Sequence, residues 1–211
     1  MNTVVGVFDY GCGNLHSVAR ACAKFSDNIK IVERFQPNSN FTHIVLPGVG
    51  SYSNAINEIR NRGLDQLIHE KLIDGVPLLG ICVGMQVLTT EGYENCFSSG
   101  LDLIGGSTEM LSLTKSDKSS RIPNMGWNTV MPETHGKGTQ LFLGLENGFD
   151  AYFAHSFEVK PNDATDISAF TGFDRRKLVA AVSKERVYGV QFHPEKSGES
   201  GLQVLKNFLS I

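Results

Sequence analysis

The sequence predicts an α/β fold: a mostly parallel, doubly wound sheet with antiparallel strands added to it or packed beside it. Three observations predict this. Over the first hundred or so residues, apolar strand-like runs alternate with segments of helical period, the pattern of strand–helix–strand units. After about residue 105 the texture changes to short apolar stretches separated by turn residues, as in antiparallel strands. Between these regions, the continuous apolar run Val76 to Ile81, typical of a strand buried on both faces, leads directly into Gly80-Ile81-Cys82-Val83-Gly84.

Val4-Val5-Gly6-Val7-Phe8 reads as a buried first strand, followed by the glycine-rich loop Asp9 to Asn14. Leu15, Val18, Ala19, Cys22 and Phe25 recur at helical spacing, which assigns Cys22 to the core. Asn28 to Val32 is a shorter second strand. His43-Ile44-Val45-Leu46 is a third, ending at Pro47-Gly48-Val49-Gly50. Ile56, Ile59, Leu64, Leu67, Ile68 and Leu72 place an amphipathic helix over Ser53 to Leu72, interrupted near Gly63. A helix is expected to start at Met85-Gln86-Val87-Leu88, directly after the cysteine turn. Downstream, the strand stretches are Thr108–Leu113, Trp127–Met131, Ala151–Val159, Ile167–Phe170, Leu178–Val182 and Val187–Phe192. Leu202, Leu205, Phe208 and Leu209 mark a closing helix, and Lys115 to Ser120 a polar surface loop. With no repeat or linker, residues 1–211 read as one domain.

Composition removes several function classes. Formal net charge is -3, so nothing favours nucleic acid or an anionic membrane as partner. No apolar run approaches the roughly 18 residues of a membrane span, and the N-terminus lacks a secretory signal. The four cysteines, Cys12, Cys22, Cys82 and Cys96, show no C-x-x-C spacing and read as reduced thiols of a cytoplasmic protein. His16, His43, His69 and His135 lack metal-ligand spacing, so neither metal nor cofactor is expected. Gly11-Cys12-Gly13 fails as a dinucleotide fingerprint because position 16 is His16.

Two stretches carry chemistry. Gly-x-Cys-x-Gly after a buried strand is a nucleophile elbow with sulfur in place of the usual hydroxyl. Its glycines allow a sharp turn and close backbone approach. A helix N-terminus and a nearby imidazole would lower the thiol's pKa from about 8.5 into a range of about 3.5–7.5. Alone, Cys82 could be a structural cysteine. The second stretch, Gln191-Phe192-His193-Pro194-Glu195, delivers a histidine to the end of a strand, with an acid two residues on that can fold back onto the imidazole. Cys82 as nucleophile, His193 as base and Glu195 as orienting acid make a triad. Gly48-Val49-Gly50, at the end of a parallel strand, offers backbone N–H groups which, with the amide of Val83, could form an oxyanion hole.

Together, Gly80-Ile81-Cys82-Val83-Gly84-Met85-Gln86 and His193-Pro194-Glu195 resemble the class I, triad-type glutamine amidotransferases. Asp9 to Asn14, Leu46 to Gly50, Pro123-Asn124-Met125-Gly126-Trp127-Asn128, Tyr152 to Ser156 and Phe192 to Ser197 extend the likeness over nearly the whole chain. They point to the branch whose glutaminase subunits feed a separate cyclase in histidine biosynthesis. The resemblance implies the family's fold and L-glutamine as substrate, cleaved to glutamate and ammonia. It also implies a heterodimer with a (βα)8-barrel cyclase, the ammonia passing through a channel. It assigns catalysis to Cys82, His193 and Glu195, and the oxyanion element to Val49, Gly50 and Val83. Gly48, Gln86, Glu94 and Ser156 would bind substrate, and Asn14, Trp127, Tyr152 and Lys196 would face the cyclase. Three other readings stay open: a cysteine peptidase of related fold, a binding subunit with an inactive triad, and a glutaminase feeding another synthase, as in surface-sugar amidation.

Overall fold

The computed structural model describes residues 3–11, 14–113, 121–133 and 137–211. The predicted Lys115–Ser120 loop, Cys12 and His135 lie outside the described residues. Apolar, β-branched runs form the centre of the main sheet: β1 (Val4–Phe8), β3 (His43–Gly48) and β4 (Leu78–Cys82) are buried at every position. With β2 (Asn28–Val32) and β13 (Val187–Val190) they pair in parallel, in the order β2-β1-β3-β4-β13. The sheet continues antiparallel through β12 (Arg176–Lys184), β11 (Ile167–Phe173), β8 (Asn124–Pro132) and β9 (Phe149–His155), giving nine strands.

The order reverses at β1, which lies between β2 and β3. Right-handed crossovers then place α1 (Leu15–Cys22) and α2 (Tyr52–Asn61) on opposite faces. The predicted interruption at Gly63 is present: Gly63 takes φ 66 between α2 and α3 (Leu64–Ile73). The closing helix α5 (Gly198–Phe208) packs beside α1.

The antiparallel strands are of both anticipated kinds. Besides those that extend the main sheet, β5 (Thr89–Gly92), β6 (Ser98–Ser99), β7 (Ile104–Met110) and β10 (Phe157–Pro161) form a second sheet, in the order β10-β7-β5-β6. Several strand ends shift by a few residues, and two differences involve the second sheet. The strand expected at Thr108–Leu113 begins earlier, at Ile104. The stretch Ala151–Val159 is two strands, broken at Ser156, with β9 in the main sheet and β10 in the second. Both halves are apolar on alternate residues, so periodicity carries no sign of the change of sheet.

Candidate active site

Three adjacent parallel strands, β3, β4 and β13, end at one edge of the sheet, and each contributes to the site. This is the carboxyl edge where ligands sit in open α/β sheets. β4 delivers Cys82, whose backbone takes φ 55 and ψ -111, a strained conformation for a residue with a Cβ. Glycines make the turn possible by contact as well as by torsion. A Cβ on Gly84 would sit 1.8 Å from the Leu46 carbonyl oxygen, and one on Gly80 would sit 2.5 Å from that of Gly84. The elbow is thus pressed onto β3, whose Gly48 pairs with Cys82.

The helix expected after the elbow is a single turn, α4 (Val83–Gln86), running directly into β5. The hydroxyls of Thr89 and Thr108 donate to the Gln86 carbonyl at 2.8 and 3.1 Å. That carbonyl would have accepted the next helical N–H, so the helix stops there. One turn carries little of a macrodipole, so the imidazole is the main cationic neighbour of the sulfur.

β13 leads to His193, which is buried. Its N–H donates to the Tyr152 carbonyl at 2.9 Å. The Ser197 hydroxyl donates to the His193 carbonyl at 2.6 Å and accepts from the Tyr152 N–H at 2.9 Å. The base is therefore suspended from β9. Pro194 opens a 3-10 turn, Pro194–Lys196, that folds Glu195 back as expected: His193 Nδ1–H donates to Glu195 Oε1 at 2.9 Å, leaving Nε2 for the sulfur. Burial pulls the imidazole's pKa down, but the hydrogen bonds and charges of Cys82 and Glu195 outweigh it, raising the pKa to about 9. At neutral pH the imidazole beside the sulfur is thus held protonated. The Asn14 amide also donates to Glu195 Oε1. Asn14, assigned by resemblance to a docking face, is thus half-buried against the acid that holds the base.

Glu195→Gln should keep this geometry and remove the charge. Turnover should fall less than with His193→Ala, and the double variant should be no worse than His193→Ala alone, because the two act as one unit. The imidazolium is lost as pH rises through about 9, and Glu195→Gln should move that alkaline limb to lower pH. A pH–rate profile of the three variants checks both; additive losses would show that Glu195 does not act through His193.

Cys82 and His193 open into a cleft of about 360 Å³. Val49 and Gly50 line it from the end of β3, Val83 and Gln86 from the elbow, and Glu94, Ser156 and Lys196 from the rim. Cys82, His193 and the expected oxyanion and substrate residues thus converge on one cleft or on the strand end beneath it, where Gly48 lies, with Glu195 behind His193. Gln86 is buried, with both N–H groups engaged: Nε2 donates to Gln191 Oε1 at 3.1 Å and to the Phe157 carbonyl at 3.4 Å. Glu94 Oε2 accepts the N–H of Tyr52 at 2.6 Å, so the carboxylate is anchored on the first residue of α2. No group of three or more His, Cys, Asp or Glu among the described residues could hold a metal ion.

Two site residues were not singled out in the sequence. His155 lines the cleft, buried; its Nδ1–H donates to the Phe157 carbonyl at 2.7 Å, and Nε2 accepts from Asn124 Nδ2 at 2.9 Å. Burial drives its pKa down to about 4, so it stays neutral. Gln191, fully buried, donates from Nε2 to Cys82 Sγ at 3.7 Å. Neither has a spacing that marks it, and only adjacency to the quoted stretches could have drawn attention to them.

Trp127 is not a core residue. It is 59% exposed, edge-on to Tyr152 across the β8–β9 pair, with ring centroids 6.2 Å apart. Lys196 Nζ lies 5.8 Å from the Tyr152 ring centroid, and Met125, 65% exposed, continues the apolar surface to the cleft rim. An aromatic patch beside a cleft is the composition of a binding surface. Cys22 is in the core as expected, and burial, helped by the charge of Glu195, pushes its thiol up to about 12. Cys96 is exposed. Among the described residues no helix is long and apolar enough to cross a membrane.

Comparison with known proteins bears on the family and the fold. The family model "Glutamine amidotransferase class-I" matches residues 6–211. The imidazole glycerol phosphate synthase subunit HisH of Geobacillus sp. (strain WCH70) is 37% identical over 209 residues, 99% of this chain and 97% of the relative. The HisH subunit of Chlorobaculum tepidum is 36% identical over 205 residues, covering 97% and 98%. Among solved structures, PurLQS from Thermotoga maritima superposes with a TM-score of 0.73 at 20% identity, over 100% of this chain and 99% of the other. A glutamine amidotransferase superposes with a TM-score of 0.74 at 18% identity, covering 99% and 100%. At those identities the superpositions speak for the fold.

Proposed function

Since the chain belongs to the class-I glutamine amidotransferase family, we propose that it is the glutaminase subunit of an imidazole glycerol phosphate synthase. It would hydrolyse L-glutamine to glutamate and ammonia for a cyclase of histidine biosynthesis. The observation that carries the reading is Cys82 on a strained elbow beside a histidine oriented by Glu195. Relatives that are HisH subunits, matched over nearly their full length, support the pathway.

Cys82 thiolate attacks the side-chain amide carbon of glutamine. The developing oxyanion is received by backbone N–H groups of Val49, Gly50 and Val83; one such donor is typically worth about 2.7–4 kcal/mol. His193 imidazolium gives its proton to the departing ammonia, leaving a glutamyl thioester. His193 then takes a proton from water, and hydroxide transfer to the thioester releases glutamate and restores the thiolate. Gln86 and Glu94 hold the amino-acid end of the substrate, with Gly48 and Ser156 contributing backbone. In this reading the protein works in the cytoplasm as a heterodimer. A (βα)8 cyclase docks over Trp127, Tyr152 and Lys196, and Asn14 lies between that face and Glu195. Docking there covers the cleft mouth, so ammonia passes to the partner without meeting solvent.

The test is transfer of label from amide-15N glutamine into the cyclase product by the mixed subunits. Trp127→Ala should leave the isolated chain folded yet weaken complex formation by ~2 kcal/mol or more, as truncation of a central interface aromatic does. Tryptophan fluorescence should shift when the cyclase is added to wild type. An unchanged spectrum on complex formation would remove Trp127 from the interface, and absence of label transfer would reject the pathway.

A further inference from the structure

Gln191 has no part in the chemistry above, yet its fully buried carboxamide lies between the nucleophile and a cleft-lining residue. We propose that Gln191 is a positioning residue: it holds Cys82 in its thiolate form and links that state to occupancy of the amino-acid end of the cleft. The inference rests on the reading of Cys82 as nucleophile.

The orientation of the two carboxamides is fixed by their neighbours. Gln191 Oε1 accepts from Gln86 Nε2 at 3.1 Å, so Gln191 Nε2 is the end that meets Cys82 Sγ, at 3.7 Å. Turning either amide over would set like poles together. The Gln191 N–H is itself pinned to the Ala180 carbonyl at 2.8 Å, which fixes the backbone from which the side chain reaches. A second neighbour of the sulfur opposes Gln191: the Ala154 carbonyl oxygen, 4.0 Å away, accepts from a thiol but repels a thiolate. A donor that bonds the charged form favours it, and in a buried site its effect is not diluted by water. Ionisation of Cys82 is therefore set between a donor on one side and an acceptor on the other, with His193 supplying the charge.

The chain of amides also reaches the cleft. Both N–H groups of Gln86 are used internally, so Oε1 is the polar atom it has left for the cleft it lines. An ammonium group bound to that oxygen polarises the Gln86 amide, strengthens its N–H bond to Gln191, and in turn the Gln191 N–H bond to sulfur. Substrate binding thereby favours the reactive form of the nucleophile. Other titratable or charged groups around Cys82 are His193 with Glu195 behind it, and His155, Glu94 and Lys196 across the cleft. All are unaltered in variants at residue 191, so a difference between those variants reports the amide.

The experiment is the pH dependence of Cys82 alkylation by iodoacetamide, read at the Cys82 peptide by mass spectrometry so that exposed Cys96 does not interfere. Wild type, Gln191→Met (similar size, no donor) and Gln191→Glu (a like charge beside the thiolate) are compared, with and without L-glutamate. The alkylation midpoint should rise by about one pH unit in Gln191→Met, hence about tenfold less thiolate below the midpoint, and further in Gln191→Glu. kcat should fall more than KM changes, and L-glutamate should lower the midpoint in wild type but not in Gln191→Met. An unmoved midpoint in both variants, whatever happens to turnover, overturns the proposal. Should Gln191→Met fail to fold, Gln86→Met removes the group that orients Gln191; its midpoint should rise by a smaller amount, and no rise overturns the proposal equally. If alkylating Cys82 in wild type leaves glutamine hydrolysis intact, the nucleophile assignment itself has failed, a result separate from either outcome at Gln191.

Discussion

Cys82→Ala should abolish glutamine hydrolysis while leaving ammonia-dependent synthesis by the cyclase partner intact. The substitution removes one sulfur atom at the floor of the cleft. His193, Glu195 and Asn14 bond to one another and not through that sulfur, so they keep their places. Among the described residues, no other thiol near the base can replace the nucleophile. Cys22 is fully buried with its thiol pushed up to about 12, and Cys96 lies exposed outside the cleft. Loss of the nucleophile from a unit of this kind costs on the order of 10^6 in turnover. Glutamate release in the presence of the cyclase measures the loss, and synthesis supplied with ammonium salt reports the integrity of the complex. Retained hydrolysis of a few per cent would place the nucleophile elsewhere.

The second large effect concerns the frame rather than the chemistry. Gly84→Ala would put a methyl group 1.8 Å from the Leu46 carbonyl oxygen, a backbone atom that cannot step aside without moving β3. Overpacking a well-packed core, with the side-chain and backbone shifts it forces, typically costs about 1–3 kcal/mol and occasionally more. Here the obstacle is backbone in the centre of a nine-stranded sheet, so a loss of roughly 3 kcal/mol or more is expected. Because Gly48 pairs with Cys82 at the same place, the displacement also separates the elbow from Val49 and Gly50. Glutaminase activity should therefore fall even in the fraction that folds. Gly172→Ala in β11, where an added Cβ meets nothing within 4 Å, is the control and should cost little. Urea unfolding of the two variants separates them; equal midpoints would show that the elbow has more room than its contacts imply.

What the sequence made legible, and what it hid, follows from the range of the forces involved. The central strands could be read because burial on both faces demands an unbroken apolar run, and Val4–Phe8 and Leu78–Cys82 have one. Cys82, His193 and Glu195 could be read because each sits in a local turn with its own glycine or proline signature. The length of α4 was hidden because hydroxyls of Thr89 and Thr108, the second 22 residues away in the chain, decide it by capturing the Gln86 carbonyl. The break at Ser156 was hidden because it is a change of sheet partner, not of strand propensity. The contacts of Gln191 and Asn14 were hidden for a related reason. They are side-chain bonds to Cys82 and Glu195, 109 and 181 residues away, and such pairings leave no local pattern.

The backbone angles of Cys82 carry an evolutionary consequence. At φ 55 and ψ -111 any residue with a Cβ is strained, whereas glycine is not. In the proposed function, turnover requires a side chain at this position in spite of that strain. In a lineage where the partner drew its ammonia from another source, drift to glycine at residue 82 would remove the activity and relieve the strain in one step. Most inactivating changes erode a fold; this one would consolidate it. A duplicated copy that had ceased to be an enzyme could thus persist as a stable subunit, its history recorded as glycine at residue 82 above an otherwise intact His193 and Glu195.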